Sequence, residues 1–167
     1  DVAIWNLEYR RMETVGKNNK APWPATFEDV SDGVDHLRVI ADREGLDLSR
    51  ILLIGHSAGG HLATWAASRA MIASDSKLYS EEPLEIQKTI SIAGILNLFS
   101  VNDVNQPEQV SRLMGGCSDT QRMRYLACDP STLYNSGINL TLVHGQQDTC
   151  VSVNQAEHYF TTATASD

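Results

Sequence analysis

Long apolar runs are missing from this chain. No stretch of its 167 residues is long and apolar enough to cross a bilayer, so no membrane partner is expected. Positive charge is also scarce: 13 Lys and Arg stand against 21 Asp and Glu, for a formal net charge of -8. That balance argues against nucleic acid as a partner, because binding phosphates calls for a basic face. Cysteine is sparse, with only Cys117, Cys128 and Cys150, an odd count without metal-type spacing. No metal or other cofactor is expected. Reduced thiols in the cytoplasm are the expectation, and a secreted protein with a Cys117–Cys128 bridge is the alternative. Internal repeats and low-complexity tracts are absent too. The composition that remains, 42% hydrophobic and 20% charged, is that of one globular domain.

The richest stretch is Arg50 to Ala67, RILLIGHSAGGHLATWAA. Ile51 to Ile54 is a continuous apolar run, which predicts a short parallel strand buried on both faces. Gly55-His56-Ser57-Ala58-Gly59 follows at once and fits Gly-x-Ser-x-Gly, and an Ala-rich helical pattern runs on through Leu62, Ala63, Ala66 and Ala67. Strand, abrupt turn and helix is the context in which this motif forms a nucleophile elbow. So sharp a turn predicts that positions 55 and 59 must lack bulk, and it holds Ser57 in a sparsely populated backbone conformation. The free N–H groups of the next helix face the same spot, so the Ala58 amide can donate to an oxyanion formed there. Gly60 and Ala63 allow that helix to lie close on the strands.

Before this stretch, Val2 to Trp5 reads as a strand and Lys17 to Ala25 as a polar, Pro-containing loop. Thr26 is the predicted cap of a helix, with Asp29 at the capping-box position. Phe27, Val30, Val34, Leu37 and Ile40 or Ala41 give that helix one buried face ending near Gly45. After the elbow helix come a loop at Ser74 to Pro83 and a strand at Lys88 to Ala93. An irregular insertion at Asn102 to Asp129 carries short helices at Pro107 to Met114 and Thr120 to Ala127. A last strand spans Leu140 to Val143, and Val153 to Thr162 is helical. Strands alternating with helices predict an α/β architecture with a mostly parallel sheet flanked by helices.

VAIWNLEYRR, WPATFEDV with DGVDHLR, LDLSRILLIGHSAGGHLATWAA and LVHGQQDTCVSVNQAE together resemble the serine esterases of the α/β-hydrolase fold, in the branch that includes kynurenine formamidase-like and feruloyl-esterase-like proteins. The similarity runs over nearly the whole chain, in the family's order of nucleophile, then acid, then histidine. It implies Ser57 as nucleophile, Ala58 as donor of one oxyanion N–H, Gly55 and Gly59 as the elbow glycines, and Asp148, in the His-Gly-x-x-Asp turn, as the acid. Asp148 can equally be read as a loop aspartate after a strand. Asp129, in an Asp-Pro turn, is the secondary candidate.

The family's histidine belongs after the helix that follows the acid, and no residue of this chain stands there. His158, on that helix, is the one alternative downstream of Asp148, whereas His56 and His61 flank the serine as expected packing residues. The second oxyanion donor, from a His-Gly-Gly-type loop, has no counterpart either. The resemblance therefore implies residues 1–167 as a single, partial α/β-hydrolase domain, without the N-terminal strands carrying the oxyanion loop or the C-terminal segment carrying the histidine. It implies a cofactor-free serine hydrolase acting on small-molecule esters or aryl formamides through an acyl-enzyme on Ser57. A prolyl-oligopeptidase-like serine peptidase and a non-catalytic fragment are the alternatives. Trp23, Leu96 and the Asn102 to Asp129 insertion are expected to line the acyl pocket, with a core role for Trp23 and Leu96 as the other reading. Oligomeric state stays open, although a bare sheet edge favours self-association.

Overall fold

The computed structural model describes residues 2–12 and 23–165. Three strands, β1 (Leu52–His56), β2 (Lys88–Ile92) and β3 (Asn139–Val143), form one parallel sheet in the order β1-β2-β3. The register sets Leu52, Lys88 and Asn139 abreast at one end and His56, Ile92 and Val143 abreast at the other. All three chains therefore leave the sheet along a single edge.

Helix α1 (Ala25–Asp35) and helix α2 (Leu37–Glu44) come first. After β1 the chain enters α3 (Ala58–Ala67), and after β2 it forms α4 (Pro107–Met114) and α5 (Arg122–Cys128). Helix α6 (Asn154–Ala165) closes the series. The core is centred on α3, between it and α1 and between it and the sheet, and takes in Met114 of α4 and Tyr125 of α5. Phe27 and Trp65, both fully buried, meet edge-on at 4.8 Å between ring centroids, and Ser91 of β2 lies against Gly60 of α3.

Four expectations need correction. The first helix is two helices, broken at His36 beside Asp35, whose carboxylate takes both terminal nitrogens of the buried Arg69 at 2.6 and 2.9 Å and the Leu84 amide at 2.9 Å. Thr26 is not its cap. Pro24 holds that place, the Thr26 hydroxyl donates to Arg10 O at 2.6 Å, and Asp29 pairs with the Arg10 guanidinium instead of reaching back. Val2 to Trp5 forms no strand, since a strand needs a ladder partner and these residues run over α1 instead. Trp5 Nε1 donates to Gly33 O at 3.0 Å and its ring stacks on His36, while Val2 and Ile4 stand 91% and 89% exposed. Finally, β1 is covered on one face only, where Leu53 is half-buried, while Leu52 is 47% and Ile54 60% exposed on the other. A sheet that grows in one direction through crossovers of one hand puts its connecting segments on the same side, and among the described residues nothing covers the other. Of the loop expected at 17–25, residues 17–22 lie outside the described residues.

Candidate active site

β1 ends at His56, α3 begins at Ala58, and Ser57 alone makes the turn, with φ 54° and ψ −119°. A positive φ in a residue with a side chain costs on the order of 1–3 kcal/mol, and the neighbours must hold it. They do so from both sides. The Ser57 amide donates to Ile92 O at 2.8 Å, and its carbonyl accepts from His61 N–H at 3.1 Å. Ser57 itself is half-exposed. Ala58, at the first position of α3, has an N–H that no intrahelical carbonyl can take.

Crowding at the turn falls on different glycines than the motif suggests. A Cβ at Gly55 would sit 1.9 Å from Gly59 O, so position 55 must be glycine. A Cβ at Gly59 would meet nothing within 4 Å. The second tight position is Gly60, where a Cβ would lie 2.9 Å from both Gly94 Cα and Ser91 Oγ. The expected need for a bulk-free residue at 59 is therefore wrong: Gly59 contributes its backbone, against which Gly55 packs.

Two strands away, β3 gives way to the turn at His144-Gly145. Asp148 Oδ1 accepts from the Cys150 and Val151 amides at 2.8 and 3.0 Å. These amides, then the neighbouring His144 and His56 imidazoles, hold the Asp148 carboxyl below its ordinary value. His144 Nε2 lies 3.9 Å from Asp148 Oδ2 but spends its proton on Val151 O at 2.8 Å, so it braces the turn. The insertion braces it too, through an antiparallel bridge between Val104 and Val151 and bonds from Asn105 N to Cys150 O and Ser152 N to Asp103 O.

Ser57 and Asp148 thus follow strands that end in register on the same edge, with β2 between them. Two inter-strand spacings separate the ends of β1 and β3 by about 10 Å. No hydrogen bond among the described residues joins Ser57 to Asp148 or joins either to His158, which is exposed on α6.

The other expected residues fall away from chemistry. Asp129 is fully buried, and despite bonds from Ser131 and the Thr132 and Leu98 amides its desolvation raises its pKa; it ties loops together. Leu96 is 1% exposed and belongs to the core, whereas Trp23 is half-buried between Arg124, 4.3 Å from its ring centroid, and Lys77, at 5.9 Å. Of the two histidines expected to pack, only His61 does, 3% exposed with Nδ1 2.7 Å from Ile95 O, whereas His56, at the end of β1, is exposed. All three cysteines are free, so the alternative Cys117–Cys128 bridge is not formed: Cys128 is buried and Cys117 exposed. A cavity lined by Leu48, Ile51, Gln87 and Ile138 opens at the far end of the sheet, before the strands begin, and plays no part here. No helix of the described residues is long and apolar enough to cross a membrane.

Sequence reasoning missed Ala93. Its φ of 47° is a second left-handed, non-glycine residue, placed just after β2 with its amide on Val143 O at 2.8 Å. The break brings Gly94 onto Gly60. Only the Gly94 that follows Ala93 hinted at it.

A serine elbow after one strand of a parallel sheet, with helices packed on it and an aspartate turn two strands on, defines the α/β-hydrolase fold. Solved structures agree. The model superposes with a TM-score of 0.70 on a bifunctional GH43-CE protein of Bacteroides eggerthii, 23% identical, over 88% of this chain and 21% of that one. It superposes at 0.69 on a truncated carbohydrate esterase from gut microbiota, 20% identical, over 86% and 56%. At 0.68 and 14% identity it matches the carboxylesterase Cest-2923 of Lactobacillus plantarum WCFS1, over 89% and 52%. The chain belongs to the BD-FAE family, whose model matches residues 1–162. It spans a fifth of the first of those structures and about half of the other two. Comparison with curated proteins finds no match.

Proposed function

We propose that the protein is a serine hydrolase that cleaves carboxylic esters through an acyl-enzyme on Ser57. The observation that carries this reading is the left-handed backbone of Ser57 at the joint between β1 and α3, on the sheet edge shared with Asp148. Ser57 Oγ attacks the acyl carbon while an imidazole takes its proton, and the resulting oxyanion accepts from the Ala58 amide. Collapse breaks the bond to the leaving oxygen, which receives that proton and departs as the alcohol. Water, deprotonated by the same imidazole, then attacks the acyl-enzyme and releases the acid and the free serine. Asp148, held anionic by two backbone amides, orients the imidazole and steadies its charged form. We place that imidazole in the half of the esterases' length that this chain does not span. The likeness to a carbohydrate esterase and a carboxylesterase favours esters over aryl formamides.

A fluorophosphonate probe on the full-length protein tests this. Labelling at Ser57 is expected, and it should vanish in Ser57→Ala together with turnover of a short-chain p-nitrophenyl ester, by about 10⁴-fold or more. A folded protein that takes no label is a non-catalytic scaffold, and faster cleavage of a proline-containing peptide than of the ester would move it to the peptidases.

A further inference from the structure

The segment between the two proposed catalytic turns, Gly94 to Ser100, belongs to neither helix nor strand, yet most of its backbone groups are hydrogen-bonded, mainly by side chains. Ile95 O faces His61 Nδ1, Leu98 N–H donates to Asp129, Ser131 N–H donates to Leu96 O at 2.9 Å, and Asn97 Oδ1 takes the Phe99 and Ser100 amides. One residue does more than the others. Gln155, fully buried on α6, accepts from Leu96 N at 2.8 Å and Asn97 N at 2.7 Å through Oε1, and donates to Asn97 O at 3.1 Å and Ser100 O at 3.4 Å through Nε2. All of the hydrogen-bonding capacity of the amide is used on one strap of chain.

Placement gives these bonds their meaning. Gln155 is the second residue of the helix that follows the Asp148 turn, and its own amide bonds to Ser152 O. The strap it grips starts at strained Ala93 and lays Gly94 on Gly60, three residues beyond Ser57. Acid turn, Gln155, strap and elbow are thus one connected series of contacts, buried at Gln155, Leu96, Gly94 and Gly60. We propose that Gln155 is a positioning residue, which fixes the Ser57 elbow relative to the Asp148 turn by holding residues 94–100. This rests on the hydrolase reading above. Two left-handed residues on adjacent strand ends are held only while their surroundings over-determine them, and Gln155 joins both sides.

Gln155→Leu and Gln155→Glu in the full-length protein test it, each followed by fluorophosphonate labelling, by kcat and KM on a short-chain p-nitrophenyl ester, and by hydrogen exchange at the Leu96 and Asn97 amides. Gln155→Leu should lose protection at those amides and lower both kcat and labelling rate by about tenfold or more with little change in KM. Gln155→Glu supplies the signature that plain destabilisation lacks. As a carboxylate it keeps the two acceptor bonds but faces the Asn97 and Ser100 carbonyls without a proton; protonated, it regains one donor. Its labelling rate relative to wild type, and protection at Leu96 and Asn97, should therefore rise as pH falls from 8 to 6. If Gln155→Leu does not fold, that pH series decides alone. Labelling of either folded variant at the wild-type rate across this range overturns the inference and leaves the hydrolase reading intact, whereas an unlabelled wild-type protein overturns both.

Discussion

Acidification from pH 7 to pH 5 is expected to cost this protein about 2 kcal/mol of stability through one side chain, His61. The ring is 3% exposed, and burial pulls its pKa from 6.5 down to about 4, with the bond to Ile95 O opposing only part of that fall. Nδ1 carries the proton that Ile95 O accepts at 2.7 Å, which leaves Nε2 as a buried lone pair without a partner among the described residues. As pH falls, the unfolded chain takes up a proton near 6.5 and the folded protein not until about 4, so stability drops across that window and levels off below it. The full interval is worth about 3 kcal/mol, of which about 2 is already lost at pH 5. His61→Leu removes the titration but leaves Ile95 O unpaired, at about 1–3 kcal/mol. The variant should be the less stable protein at pH 7 and should close most of the gap by pH 5. Urea titrations followed by Trp fluorescence, which reports on buried Trp65, measure both proteins at each pH. The carboxylates Asp29, Asp35, Asp47 and Asp148, all held below their ordinary values, titrate in both proteins and cancel in the difference. Parallel pH dependences for the two proteins between pH 7 and 5 would refute the reasoning.

Glycine substitutions at the elbow should separate sharply: Gly55→Ala drives a Cβ to 1.9 Å from Gly59 O and should lower the Tm by several degrees or prevent folding, whereas Gly59→Ala, with nothing within 4 Å, should keep or raise it by scanning calorimetry. Asp35→Ala leaves Arg69, whose side chain is 2% exposed, as an unpaired buried cation and is expected to cost about 3–5 kcal/mol in urea unfolding. Adding Arg69→Met should return part of that loss, and an additive double variant would argue against the pair. A disulfide reagent should modify the exposed Cys117, whose thiol Thr120 holds below its ordinary value, and the exposed Cys150 in the folded protein, while Cys128, buried with its thiol pushed well up, should react only on unfolding.

Periodicity and motif carried the interior of this fold well, because those signals report burial and turn sterics directly. The strands at Leu52, Lys88 and Asn139 begin within a residue of where apolar runs placed them, although β1 runs two residues further, to His56, and α4 spans Pro107 to Met114 as read. Partnership was illegible. Val2 to Trp5 has the composition of a strand, but composition cannot supply a neighbouring ladder. Ile51 to Ile54 similarly reads as doubly buried, while cover for the second face depends on which way the next crossover steps. At the elbow, Gly-x-Ser-x-Gly located the turn but misassigned the crowding, since the motif cannot show that position 60, not 59, meets the strap after β2. Gln155 left no usable trace, being an ordinary polar residue in a helix, and Ala93, an alanine at a strand end, left only the glycine that follows it.

The candidate site is accordingly a property of an edge. Register brings three strand ends level, and two of the three chains leave through backbone conformations that residues with a Cβ rarely adopt, Ser57 at φ 54° and Ala93 at φ 47°. Each strained residue is tied to the neighbouring strand by its own amide, Ser57 to Ile92 O and Ala93 to Val143 O, both at 2.8 Å. The strain at the first turn is therefore supported by β2, that at the second by β3, and β3 continues into the turn that carries Asp148. Relaxing one of these ends is therefore expected to disturb the next, and loss of reactivity should follow perturbation at Ala93 or Gln155 as well as at Ser57.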